Sequence, residues 1–163
     1  MGVNVLYTGY AVEIDGIKYR HHPNGGGLVA ETAVVAETAF IGPCATVKDR
    51  AKVLGRARVT GHASVGGDAC VCDDAEIADE AVVLHQAIVT GSAKVRDRAS
   101  VFENAKVGDC AEIFGSAMIY GNAAISGFAR ASGHAAIHED ARVSGNAWVL
   151  DETTIGAAEA ATA

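Results

Sequence analysis

From Ala33 to Ala147 every sixth residue is alanine, twenty in succession, and a branched aliphatic sits two residues after each. The second series opens with Val35, Ile41, Val47 and Val53 and runs to Val149 and Ile155; Ala131 alone interrupts it. Nothing is inserted or deleted along the way. With so short a fixed period, each unit can bury its apolar side only against its neighbours. The chain therefore predicts a solenoid rather than a globular core.

The unit is Ala-x-Val-x-(Gly/Asp/Glu)-x. Ala-x-Val reads as a short strand with alanine and the aliphatic on one face and the intervening residues on the other. The pair that follows carries turn chemistry, and Gly55, Gly61, Gly115, Gly121 and Gly133 permit unusual backbone angles there. Strand and corner repeated without variation must wind into a coil. Outward residues spaced by eighteen indicate its sides: Arg58, Glu76, Lys94, Glu112 and Arg130 alternate in sign at every step. Spaced by twelve, Arg58, Cys70, Val82 and Lys94 show no order. Coils stack ~4.8 Å apart, so the first register sets each charge between two opposite ones. Three hexads per turn give a single-domain all-β prism of about seven triangular coils.

Residues 1–28 precede the repeat, 29–156 form it, and 157–163 read as a flexible tail. In YAVEIDGIKYR (10–20), Asp15-Gly16 lies between Val12 and Ile14 on one side and Ile17 and Tyr19 on the other. That is a type I′ hairpin signal, and it predicts an N-terminal β-hairpin cap over the first coil's open edge. An arm docking on another subunit is the alternative. HHPNGGG (21–27) reads as a turn-rich linker.

Composition narrows the function. A formal charge of −7 and a pI near 5.3 lack the basic footprint that nucleic acid or an anionic membrane requires. No run approaches the ~18 apolar residues of a membrane span. MGVNVLYTGY lacks the features of a secretory signal, so the expected compartment is the cytoplasm, with Cys44, Cys70, Cys72 and Cys110 as reduced thiols.

The repeat from Val29 to Ile155 resembles the hexapeptide-repeat proteins, which fold as left-handed parallel β-helices. VLGRARVTGHASV (53–65) and IYGNAAISG (119–127) are most similar to a loop-free, largely uncharacterised bacterial and phage-borne subgroup. Left-handedness follows from this resemblance alone, since parallel crossovers are usually right-handed. The best-known members are acyltransferases, with a histidine base and a coenzyme A cleft between subunits, and γ-class carbonic anhydrases, with three histidines on zinc. The chain lacks the excursion loop and C-terminal helix of the former and the closely spaced histidines of the latter. His62 and His134 share a corner column but lie four coils apart, roughly 19 Å.

One side of the prism stands out. Its outward columns are Ser64, Val82, Ser100, Met118, Ala136 and Gly66, Leu84, Phe102, Tyr120, His138, and Lys48 is its one charged residue. An apolar stripe of this kind marks an interaction surface. The expectation is a non-catalytic β-solenoid scaffold or binding module, without cofactor or metal. It would form a homo-oligomer, dimer or trimer, through Val82, Leu84, Phe102, Met118, Tyr120, Ala136 and His138, and an unidentified protein partner is a further candidate. The rival is an acyltransferase-type enzyme with an inter-subunit site. There His85, which takes a corner position usually held by Gly, Asp or Glu, would be the general base.

Overall fold

Described in the computed structural model are residues 12–157 and 160–162, and these contain strands and turns but no helix. Strand β1 (Val12–Ile14) and strand β2 (Ile17–His21) form an antiparallel hairpin. Asp15 and Gly16 at its tip have φ of 51° and 76°, the two positive angles a type I′ turn needs. Residues 1–11, which include the start of the predicted hairpin segment, lie outside the described residues. Strand β3 (Leu28–Ala30) pairs antiparallel with β2 on one side and parallel with Thr46–Val47 on the other.

From β3 onward the chain winds into stacked parallel coils. Most strands are two residues long, and each pairs with the strands eighteen residues before and after it, as in Arg58↔Glu76↔Lys94. The strands sort into three sheets of ten, eight and seven strands, here called the first, second and third faces; the first includes the hairpin. Outward, Val82, Ser100 and Met118 mark the first face, Lys52, Cys70 and Ile88 the second, and Arg58, Glu76 and Lys94 the third. The three-hexad register read from charge alternation is the one observed. The second face also extends beyond Ile155, because Ala160–Thr162 pair with Arg142–Ser144.

The interior follows from the unit. Alanines from Ala39 to Ala141 and the aliphatics between them are fully or almost fully buried. Each buried Val or Ile contributes about 1.5–3 kcal/mol relative to exposure. Backbone amides donate from each coil to the next, as in Lys52 N to Ala69 O at 2.8 Å and Ser100 N to Ala117 O at 2.9 Å. Ala131 is buried in the same row, so the break in the aliphatic series trims the core without interrupting the sheet.

The corners explain the Gly/Asp/Glu position. Nine non-glycine corner residues, from Asp49 to Asp151, have φ between 55° and 64°. This left-handed conformation is disfavoured for most side chains but tolerated by short polar ones. The carboxylates also compensate for it. Asp97 accepts the Gly115 N–H at 2.8 Å, Glu103 the Gly121 N–H at 2.7 Å and Asp109 the Gly127 N–H at 2.8 Å, each one coil away. These charge-assisted bonds tie successive corners together. Where the column holds glycine there is no room for more: a Cβ on Gly67 would lie 2.7 Å from the His85 nitrogen.

The glycine-rich segment after β2 is more than a linker. Asn24 Nδ2 donates to Ala39 O at 2.9 Å, Ile41 N donates to Asn24 O at 3.0 Å, and Gly27 N donates to Ile41 O at 3.0 Å. The segment thus takes the place of a missing strand over Phe40–Ile41. Gly25, at φ 111°, lies so close that a Cβ would strike the Ile41 carbonyl oxygen.

Candidate interaction face

Seven candidate interface residues fall on the first face. Val82, Met118 and Ala136 stand in one column, on strands that pair in consecutive coils, and Leu84, Phe102, Tyr120 and His138 stand in the next, each directly after such a strand. The second column is a stack of rings. Phe102 and Tyr120 lie 5.1 Å apart with planes 1° from parallel, and Tyr120 and His138 lie 5.1 Å apart at 18°. The strand spacing of ~4.8 Å sets this separation. Because each ring covers its neighbour's face, Phe102, Tyr120 and His138 are half-buried. Met118, 44% exposed, is the most open member of the stripe. Strand alternation places these residues outward but says nothing of the mutual cover, which arises between coils.

His85 stands at the head of the stack, edge-on to Phe102 at 6.3 Å and 77°. Its Nδ1 accepts the Glu103 N–H at 3.3 Å, the bond a corner carboxylate makes elsewhere. A neutral imidazole that accepts at Nδ1 carries its proton on Nε2, so the remaining nitrogen donates rather than accepts. At the other end of the stack, His138 Nδ1 is 3.9 Å from a Glu139 carboxylate oxygen.

The chain matches no family model and no curated protein.

Among the described residues no three His, Cys, Asp or Glu side chains gather closely enough to hold a metal ion. All four cysteines are free. Burial, then the neighbouring Cys70 and Asp73, push the Cys72 thiol up to about 11, so it stays protonated at neutral pH. At one corner Arg50 donates to Asp68 at 2.7 Å and holds that carboxyl below its ordinary range. At another, Arg56 grips Asp74 through two bonds of 2.8 and 2.9 Å.

On the third face the sign-alternating charges are neighbours in register, yet they contact one another at one end only. Glu112 pairs with Arg130 at 3.5 Å and with Arg96 at 3.4 Å. Arg58 instead lies over the Phe40 ring, 4.6 Å from its centre. The steps from Arg58 to Glu76 and from Glu76 to Lys94 make no ion pair among the described residues.

Two residues that sequence reasoning passed over are the most exposed large apolar side chains described: Phe128, 65% exposed, and Trp148, 61% exposed. Neither is on the first face. Trp148 is outward on the third face with Arg130 over its ring at 5.2 Å, and Phe128 follows a corner glycine. The signal was in the sequence. Trp148 is the single tryptophan, at an outward position, and Phe128 is an aromatic where the repeat otherwise places small or polar residues.

Proposed function

We propose that this chain is a non-catalytic β-solenoid that self-associates through its first face and serves as a scaffold or binding module. The carrying observation is the combination, on that face's stacked coils, of Met118, Val82, Leu84 and the stacked rings, with Lys48 the one charge there and the charged hairpin residues Glu13, Lys18 and Arg20 confined to the face's end. A flat sheet with this surface suits a second copy of itself, since a two-fold or three-fold arrangement sets stripe against stripe. The half-buried rings still present apolar edges, and covering them with Met118 and Leu84 removes a continuous strip from water. The resemblance to left-handed hexapeptide-repeat proteins agrees with such an assembly. A cytoplasmic location remains part of this reading.

Two features weigh against the acyltransferase alternative. His85 is engaged as a corner acceptor for Glu103, and the uninterrupted coils contribute no loop to wall a dry cleft. Acetyl-coenzyme A should therefore give no binding heat that His85→Ala abolishes.

The deciding experiment is sedimentation of the wild type beside Leu84→Glu/Phe102→Lys at tens of micromolar. Neither residue points inward, so the far-ultraviolet spectrum should be unchanged while the assembly falls to monomer. A monomeric wild type, or a double variant that assembles as before, would remove the first face as the seam.

A further inference from the structure

We propose that Cys70 and Cys72, neighbouring outward thiols on the second face, bind a single copper(I) ion between their sulfurs in linear two-coordinate geometry. This goes beyond the expectation of a chain without metal, and it does not depend on self-association through the first face.

The strand sets the pair. Cys70 and Val71 form a strand of the second face and Cys72 follows it, so the thiols point outward on either side of the buried Val71. Residues i and i+2 of an extended strand stand ~6.5–7 Å apart at their Cα atoms. A linear sulfur–metal–sulfur unit spans roughly 4.6 Å, twice a metal–thiolate bond, and two side chains leaning together close that difference. The thiols already sense each other: after burial, the neighbouring Cys70 contributes most to pushing the Cys72 thiol up.

The coils on both sides hold this spacing. Cys70 N donates to Ala87 O at 2.9 Å and Cys72 N to Val89 O at 3.0 Å in the following coil. From the preceding coil, Lys52 N donates to Ala69 O at 2.8 Å and Leu54 N to Val71 O at 2.9 Å. A strand bonded on both edges resists contraction towards the ~5.5–6 Å Cα separation that a disulfide favours. Both thiols are free and half-buried, with half-buried Ile88 in register beside Cys70 and half-buried Leu54 one coil before Cys72. These apolar neighbours keep water from serving as a further ligand.

Ligand number and softness identify the ion. Among the described residues no third His, Cys, Asp or Glu joins the pair closely enough to complete a larger site. Asp73 Oδ2 comes within 3.8 Å of Cys72 Sγ, but that oxygen accepts the Gly91 N–H at 3.0 Å. Structural zinc(II) takes four ligands, and hard cations seek oxygen, whereas thiolates select copper(I). Charge does not decide the matter. Lys52 stands in register with Cys70 while Asp73 flanks Cys72, and Arg50 and Arg56 are engaged by Asp68 and Asp74. On binding, each thiol gives its proton to water and each sulfur forms one bond to the metal. One copper(I) ion is taken up, two protons are released, and no oxidation state changes.

Without oxygen, the protein should withdraw one equivalent of copper(I) from its coloured bicinchoninate complex, and X-ray absorption at the copper edge should show two sulfur neighbours. Cys70→Ser and Cys72→Ser should each weaken uptake by more than about 100-fold, beyond the ~10–100-fold typical of a change behind a ligand. Cys44→Ser with Cys110→Ser should leave uptake unchanged, because those exposed thiols sit at turns away from the pair. Circular dichroism should report an unchanged fold in all of these variants, since the side chains point outward. The proposal is overturned if the wild type takes up no copper(I), if Cys70→Ser or Cys72→Ser keeps full affinity, or if equimolar zinc(II) displaces the ion. Three or more sulfur neighbours in the wild type would also overturn it, and would assign the metal to thiols shared between copies. Sedimentation of the same samples keeps this outcome separate from assembly through the first face.

Discussion

Along the stacked coils the first and third faces share one backbone pattern and one interior, and they differ chiefly in what points outward. On the first face rings stack on rings, from Phe102 through Tyr120 to His138. On the third, opposite charges alternate, and guanidinium groups lie over Phe40, Phe114 and Trp148. The corner between the first and second faces adds a third solution: Asn104 donates to Asn122 at 3.2 Å, and Asn122 to Asp140 at 3.1 Å. Each outward residue is matched chiefly to the residue eighteen positions away, because that is what the coil stacks upon it. The fold therefore leaves its surface chemistry free, provided each column agrees with itself. One face can become apolar and another ionic without any change in the core.

Three experiments test this contrast. The largest effect should come from crossing the wall of the prism. Ile119→Ala, inward on the first face, should cost about 2–5 kcal/mol, whereas Met118→Ala, its outward neighbour, should cost less than about 0.5 kcal/mol in the monomer. Urea unfolding of monomeric protein measures both, and equal costs would deny the separation of core from surface. Next, Tyr120→Ser removes two stacked contacts worth about 0.5–1.5 kcal/mol each. Paired with Phe102→Ser in a double-mutant cycle, it should show coupling that is insensitive to salt. The smallest effect belongs to the third face. Glu112→Lys removes the pairs with Arg96 and Arg130 and sets three cations in succession, a cost on the order of 1 kcal/mol that grows at low ionic strength. A Glu112 variant whose melting ignores salt would show that the charged columns do not sense one another. The two faces would then differ in composition but not in the way they hold register.

The fold was legible because a hexad without insertions permits few structures. Alanine beside the corner, an aliphatic in mid-strand and a residue tolerant of positive φ at the turn all point to one coil, and Glu76 between Arg58 and Lys94 identifies its pitch. The Asp15-Gly16 hairpin was equally open to reading, since a two-residue turn is decided by its own backbone preferences. The contribution of Asn24 to the first coil was not, because it depends on Ile41, seventeen residues away. The stripe on the first face could be listed from the register, but not its degree of exposure.

The sequence by itself thus determined the period, the inward and outward assignment and the columns, all consequences of local strand and turn geometry repeated without error. Tertiary structure decided which column neighbours touch. Side chains of different length and flexibility, brought about one strand spacing apart, choose between a ring, a carboxylate and water. That choice placed Arg58 on Phe40 rather than on Glu76, turned the aromatic stripe into a stack, and left Phe128 and Trp148 open beside Arg130.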